Sequence, residues 1–217
     1  MEPQTDAAGA KGLDTGTTVV GIVADGGGTE QGTDHPAVVV ATDRRASLGR
    51  MVSSKSVRKV TQIADRAAMA FSGSVSGADA LTRSLRGEIS LYETRRAKPM
   101  SPTALGNLVA NNLRENQFGV QPVVAAVDER DASLFSYDGM GGQTEVEYAA
   151  VGSGTPYAYG YLEDAYENGL GVDAATDLAE QAVAVATERD TASGNGLCLA
   201  VVRPDGVDIA VRETVGA

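Results

Sequence analysis

Cysteine and histidine are nearly missing from this chain, with one of each, Cys198 and His35, in 217 residues. A lone cysteine excludes a disulfide framework and a cysteine-built metal site. It lies in the apolar run Leu197-Cys198-Leu199-Ala200-Val201-Val202, which marks it as a buried structural thiol. A lone histidine excludes a multi-histidine metal site. A Ser-His-Asp triad would have to draw on His35, which sits in the polar turn Gly32-Thr33-Asp34-His35-Pro36. If the chain is a hydrolase, its base is to be sought among lysine, carboxylate and an N-terminal amine. Long apolar runs are also missing. The longest, such as Pro36 to Ala41 and Val123 to Val127, fall far short of a membrane span. The N-terminal stretch through Gly16 carries Glu2, Asp6 and Asp14 against Lys11 and has no apolar segment. It reads as a short, polar, removable leader and not as a secretory signal.

Lysine is scarce, with 4 against 14 arginines, and the formal net charge is −11. The acid excess argues against nucleic acid and anionic membranes as partners. Combined with the scarcity of lysine, it suggests adaptation to high salt. A hydrophobic share of 42% over 217 residues describes one globular domain with a substantial core. No repeat of fixed period is present. Gly26-Gly27-Gly28 has no following Gly-Lys-Ser/Thr and no helix pattern, so it reads as a turn. Gly152-Ser153-Gly154 precedes a helix but lacks the rest of a dinucleotide fingerprint.

The periodicities predict a strand over Thr17 to Ala24, a turn-rich connection, and a buried strand over Ala37 to Thr42. Ser47 to Ser56 reads as irregular, followed by strands over Val57 to Ile63 and Ala67 to Ser72. Ala78, Leu81, Leu85, Ile89 and Tyr92 then fall three or four apart, predicting an amphipathic helix from Ser76 to about Arg96. Ser101-Pro102 is a good N-cap and N1 pair for a second helix, to about Asn116. Strands are predicted over Val123 to Val127, Ser133 to Tyr137 and Thr144 to Val151. Helices should start at Thr155-Pro156 and at Asp173. Leu197 to Val202 and Val207 to Val211 form a closing hairpin. Helices therefore come in consecutive pairs. That order predicts an α+β fold, a four-layer αββα sandwich of two antiparallel sheets between helix pairs, and argues against a doubly wound sheet.

Thr15-Gly16-Thr17-Thr18-Val19-Val20-Gly21-Ile22 places a small residue before two threonines and a β-branched run. A cut between Gly16 and Thr17 would leave Thr17 with a hydroxyl nucleophile and a free α-amine to deprotonate it. Taken singly, the residues are plain. Thr17 is a strand threonine, Lys59 a surface lysine and Asp43 a strand cap. Ser153, Asp190 and Ser193 are turn residues beside glycine.

Together, from Thr15 to about Val211, the chain resembles the β subunits of the archaeal 20S proteasome, which are N-terminal nucleophile hydrolases. The resemblance rests on six stretches in order. They are the Gly16-Thr17 junction with its strand, Ala41-Thr42-Asp43-Arg44-Arg45-Ala46-Ser47, Lys59-Val60-Thr61-Gln62-Ile63, Gly73-Ser74-Val75-Ser76-Gly77-Ala78-Asp79, Gly152-Ser153-Gly154-Thr155-Pro156, and Glu188-Arg189-Asp190-Thr191-Ala192-Ser193-Gly194. It implies a removable propeptide over residues 1–16 and a single catalytic domain over 17–217.

The resemblance also implies roles. Thr17 would be the nucleophile, freed by self-cleavage. Lys59, held charged by Asp43, would lower the proton affinity of the neighbouring amine and hydroxyl. Ser153, Asp190 and Ser193 would form a hydrogen-bonded network around them, and Gly73 would offer a backbone N–H to the oxyanion. Ala46, Val57, Phe71 and Val75 would border the pocket for the side chain before the cut bond, implying cleavage after hydrophobic residues, with bulky Phe71 narrowing it. No metal or organic cofactor is implied. Implied partners are seven-membered β rings of one or two subunit types stacked in pairs, α-subunit rings, a regulatory ATPase and unfolded protein substrates, in the cytoplasm. The Asp25 to His35 connection is longer than is usual in the family. Two other readings stand beside this one. An unprocessed structural ring subunit without peptidase activity is opposed by the presence of Gly16, Thr17, Asp43 and Lys59. An amidohydrolase of the same fold acting on a small amide is opposed by the Ser153 and Asp190 loops.

Overall fold

The computed structural model describes residues 16–24, 35–48 and 51–213. The leader before Gly16 and the connection before His35 lie outside them. His35 itself is exposed.

Two five-stranded antiparallel sheets carry the fold. The first joins β1 (Thr18–Ala24) and β2 (Ala37–Asp43) to β10 (Tyr148–Gly152), β11 (Leu197–Arg203) and β12 (Gly206–Arg212), in the order β10-β1-β2-β11-β12. The second runs β5 (Val60–Ala64), β6 (Ala67–Gly73), β7 (Val120–Val127), β8 (Ala132–Tyr137) and β9 (Gln143–Glu145), each beside the next. Helices α1 (Val75–Arg96) and α2 (Pro102–Glu115) cover the second sheet, and α3 (Thr155–Ala165) and α4 (Val172–Arg189) cover the first. The four-layer sandwich expected from the paired helices is thus the observed architecture.

Alternation explains the layering. On β2, Ala37, Val39 and Ala41 pack toward α4, while Val38 and Val40 pack into the space between the sheets. Both faces are covered, so the strand is apolar without interruption. On β6, Ala67, Met69 and Phe71 pack under α1 and α2, and Ala68 and Ala70 face the other sheet. Each fully buried Val, Leu or Ile contributes about 1.5–3 kcal/mol, so three such cores hold the layers in place. The helix starts follow the capping signals. Ser74 Oγ accepts from Gly77 N–H at 3.1 Å, and Ser101 Oγ accepts from Ala104 N–H at 3.3 Å with Pro102 behind it. Lys98-Pro99 follows Ala97, whose φ of 51° ends α1 in the left-handed region.

Three expectations need correction. The Ser47 to Ser56 stretch is not irregular: it takes part in a two-stranded hairpin of β3 (Ala46–Leu48) and β4 (Met51–Ser54). The strand expected from Val57 starts only at Val60, which leaves Lys59 at its mouth. The single strand expected over Thr144 to Val151 is two. β9 pairs with β8, and β10 pairs with β1 in the other sheet. The bonds Val146 N–H to Leu134 O (3.0 Å) and Val23 N–H to Glu147 O (2.8 Å) mark where the chain changes sheets. A period of two is the same in either sheet, so alternation alone cannot register the crossing.

Candidate active site

Gly16 and Thr17 lie immediately before β1, and Thr18 pairs with Gly152 at the end of β10. Thr17 is only 2% exposed. Its N–H donates to Ser153 Oγ at 3.1 Å, and its hydroxyl donates to the Gly16 carbonyl at 2.6 Å. Gly154 N–H donates to Thr17 O at 3.3 Å. Gly152 has a φ of +109°, and a Cβ there would stand 2.1 Å from Thr17 O. A glycine is therefore required for the loop to close this tightly on the threonine.

Asp43 ends β2 and has no exposed surface. Four donors converge on it. Thr18 N–H (2.9 Å) and Lys59 Nζ (2.8 Å) reach Oδ1, and Arg45 N–H (2.9 Å) and Gly194 N–H (2.9 Å) reach Oδ2. Lys59 is almost as deeply buried, and its ammonium also donates to Gly16 O at 3.3 Å. Burial pulls the Lys59 amine below its ordinary proton affinity; the charge of Asp43, its hydrogen bond and the more distant Asp190 oppose this. The expected pairing of Asp43 with Lys59 is present, but desolvation outweighs it.

A second network lies on the other side of Thr17. Asp190 follows the last residue of α4. Its Oδ2 accepts from Ser153 Oγ at 2.5 Å and from Ser193 Oγ at 2.6 Å, and its Oδ1 accepts from Ala192 N–H at 3.0 Å. Each serine has one hydroxyl proton, and Asp190 is its short-range acceptor in both, with Thr17 O a longer second acceptor for Ser153 at 3.4 Å. Ser153 therefore accepts from Thr17 N–H, and Thr18 Oγ1 donates to Ser193 Oγ at 2.8 Å. Thr17, Asp43, Lys59, Ser153, Asp190 and Ser193 are thus brought together from residues far apart in the chain. Such a set can hold a carbonyl oxygen, carry a proton and keep a hydroxyl beside a peptide bond.

The remaining expected residues are placed less directly. Gly73 ends β6 with a φ of +108°, and a Cβ there would meet Gly119 O at 2.4 Å. Packing against Gly119 is reason enough for that glycine. Ala46 is buried in β3 beside Arg45. Val57 is half-buried and donates its N–H to Arg44 O at 3.1 Å. Val75, the first residue of α1, is 36% exposed. Phe71 packs in the helix-facing core with Leu81 and Leu85, and does not stand open beside Thr17. A cleft of about 690 Å³ opens next to the network, lined by Gly152, Ser153, Thr155, Gln121, Tyr137 and Gln143 among others. Among the described residues, no group of three or more His, Cys, Asp or Glu side chains could hold a metal ion. No helix of the described residues is long and apolar enough to cross a membrane.

Sequence reasoning missed Thr18, Arg45 and Asn195. Arg45 Nε donates to Asn195 Oδ1 at 2.8 Å and Nη1 to Thr191 O at 2.7 Å, fastening the loop that carries Asp190 and Ser193. Asn195 has a φ of 65°, and the Gly194-Asn195-Gly196 turn was the available signal. Nothing in the strand pattern separates Thr18 from other strand threonines.

Residues 13–202 match the family model described as proteasome subunit. A proteasome subunit beta of Halorubrum lacusprofundi is 49% identical over 95% of this chain and 80% of its own length. One of Haloferax volcanii is 48% identical over 95% of this chain and 81% of its own. A proteasome subunit beta 2 of Haloterrigena turkmenica is 45% identical over 95% and 84%. The relatives come from halophilic archaea, which agrees with the acidic, lysine-poor composition.

Proposed function

Because the chain belongs to the proteasome subunit family, as a β subunit of the core particle, we propose that it is a threonine endopeptidase that first cuts its own Gly16–Thr17 bond. The observation that carries this reading is the double donation to the Gly16 carbonyl oxygen, from Thr17 Oγ1 at 2.6 Å and Lys59 Nζ at 3.3 Å. The nucleophile and a buried cation meet on the carbonyl of the bond to be cut.

In self-cleavage, Thr17 Oγ1 turns onto the Gly16 carbonyl carbon while Lys59 stabilises the charge growing on the oxygen. The proton released by the Thr17 hydroxyl passes through water to Ser153 Oγ, which hands its own proton to the Thr17 nitrogen 3.1 Å away, and the nitrogen leaves as the amine. Water then hydrolyses the Gly16–Thr17 ester, and residues 1–16 depart as a propeptide from a catalytic domain over 17–217. The new α-amine, with an ordinary pKa of about 7.7–8.0, is at least about half neutral at pH 8. It takes the Thr17 hydroxyl proton directly or through one water. Thr17 attacks a substrate carbonyl, with the Gly73 N–H at the oxyanion. An ester forms, the amine product leaves, and water activated by the α-amine releases the second product. Asp43 holds Lys59, and Asp190 holds Ser153 and Ser193, in register for both reactions. The scheme uses no metal and no organic cofactor.

We assign Ala46, Val57 and Val75 to an apolar wall for the residue before the cut, so cleavage falls after hydrophobic residues. The subunit assembles into core-particle rings. We assign it to paired β rings of seven, capped by α rings and fed unfolded chains by an ATPase in the cytoplasm. The intact mass of the assembled chain tests the central step, with a mature form starting at Thr17 as the expected result. Thr17→Ala should keep its leader and lose peptide hydrolysis while rings still form. Hydrolysis retained in that variant would refute the reading.

A further inference from the structure

A glycine before the nucleophile could be there for backbone freedom or for space. The structure shows a direct obstacle of the second kind at Gly16. Space is the constraint. A Cβ at position 16 would lie 1.8 Å from Ala192 Cβ, 2.8 Å from Ala192 Cα and 2.9 Å from Ala192 C. Two of these partners are backbone atoms, which cannot swing aside as the tip of a long side chain can.

The wall that Ala192 forms is held from several sides. Its N–H donates to Asp190 Oδ1 at 3.0 Å, and its carbonyl accepts from Ser47 Oγ at 3.3 Å. Thr191 O is held by Arg45 Nη1 at 2.7 Å, and Gly194 N–H is held by Asp43 Oδ2 at 2.9 Å. Ser193 has no exposed surface and bonds to both Asp190 and Thr18. For Ala192 to retreat, the loop would have to loosen Asp190 and Asp43, the two carboxylates that orient Ser153 and Lys59. A larger residue at position 16 must therefore move itself, and its carbonyl carbon moves with it, away from Thr17 Oγ1.

Resting on the reading above, that the chain cuts itself at Gly16–Thr17, we propose that Ala192 is a specificity-determining residue for self-cleavage: its methyl and backbone gauge position 16 and admit only glycine. The chain presents two consecutive threonines, and only one follows a glycine. Together with the β1–β10 register, which sets Thr18 opposite Gly152, the gauge keeps Thr17 out of the Gly16 place. The Thr17–Thr18 bond is then never presented for cutting. Ala192 does not touch the reacting atoms; it acts by fixing where the carbonyl lies.

The test follows cleavage of the full-length chain in assembling particles by intact mass over time. The parent, Gly16→Ala, Ala192→Gly and the Gly16→Ala/Ala192→Gly double variant are compared. A misplacement of about 1 Å at a reacting centre costs about 10²-fold in rate, and Gly16→Ala should slow cleavage by at least that much. Ala192→Gly alone should be cut. The double variant removes the 1.8 Å overlap with the methyl but keeps the 2.8 and 2.9 Å contacts with the residue-192 backbone, roughly half an ångström short of ordinary contact, so the recovery is partial. It should recover cleavage by about tenfold or more over Gly16→Ala, a difference of about 1.4 kcal/mol in barrier.

Ala192→Val, which thickens the wall against an unchanged Gly16, should slow cleavage and serves as the independent arm if Gly16→Ala does not fold. Thermal unfolding of each uncut chain, compared with the Thr17→Ala precursor, separates misfolding from slow chemistry. A parent chain that is never cut overturns both this inference and the reading it rests on. A parent that is cut overturns the inference alone in either of two cases. One is that Gly16→Ala, or Ala192→Val where Gly16→Ala does not fold, is cut at the parental rate. The other is that a folded double variant stays as slow as Gly16→Ala.

Discussion

Replacing Asp43 with asparagine removes one charge from a carboxylate that has no exposed surface and serves four donors. The asparagine amide keeps one acceptor oxygen and turns an NH2 toward the other side, so two of the four donors would face another donor. Lys59, 2% exposed, also loses its counter-charge. Removing one partner of a buried ion pair costs about 3–5 kcal/mol. An independent ceiling comes from the lysine itself, which can shed its proton. From its ordinary value of 10.5, doing so at pH 7 costs at most about 4.8 kcal/mol, at about 1.36 per unit. The two figures agree, and both are a large share of a total stability of about 5–15 kcal/mol.

The ceiling gives the pH dependence its sign. Burial already holds the Lys59 amine below its ordinary value, and loss of Asp43 lowers it further. Between that lowered value and 10.5 the unfolded chain binds more protons than the folded one, so the variant gains stability as pH rises through that window. Its deficit should shrink from pH 7 to pH 9, by at most about 2.7 kcal/mol. The assay is urea unfolding in the Thr17→Ala background, so that no cleavage intervenes, at fixed protein concentration and salt. Molar salt shortens the Debye length to about 3 Å but does not reach between two buried groups in contact, so the deficit should persist there. In a Lys59→Met background the Asp43→Asn cost should fall by about 2 kcal/mol or more. A cost below about 1 kcal/mol, one indifferent to Lys59, or one that grows with pH would refute the reasoning.

Gly152→Ala should leave the precursor uncut and destabilise it by about 2 kcal/mol or more, measured by intact mass and urea midpoint, since strained φ and overlap add. The structural reasons are its φ of +109° and the 2.1 Å approach to Thr17 O. Cys198 has no exposed surface, and burial raises its thiol above the ordinary value. The folded chain should therefore resist alkylation at pH 8, with its thiol labelled only after unfolding; labelling of the folded chain would contradict the packing between the sheets.

Much of the architecture was legible because its causes are local. The 3.6-residue spacing of Ala78, Leu81, Leu85 and Ile89 predicts α1, and the same residues are its buried stripe. Ser74 and Ser101 cap where their chemistry says they should. Paired helices between groups of strands imply two sheets with helices outside, because each apolar face must find a cover. The legible part ends where two states share one local pattern. β9 and β10 form one alternating run in the sequence, yet they belong to different sheets. The β3–β4 hairpin is short and exposed at Met51 and Val52, so no apolar stripe announces it.

The candidate site divides along the same line. Residue order alone determined the kinds of chemistry available. With one cysteine and one histidine, the base of a hydrolase was to be sought among lysine, carboxylate and an N-terminal amine, and the Gly16-Thr17 junction offered a hydroxyl to propose beside it. Only the tertiary structure decided which groups meet. Asp43, at the end of β2, reaches Thr18 and Lys59. Asp190, at the end of α4, gathers Ser153, Ser193 and the Ala192 backbone. It also decided that burial outweighs the Asp43 charge at Lys59, and that Gly16 is a matter of space against Ala192. These are sums over atoms from elements remote in sequence. Distance and dielectric set them, and neither exists until the sheets have stacked.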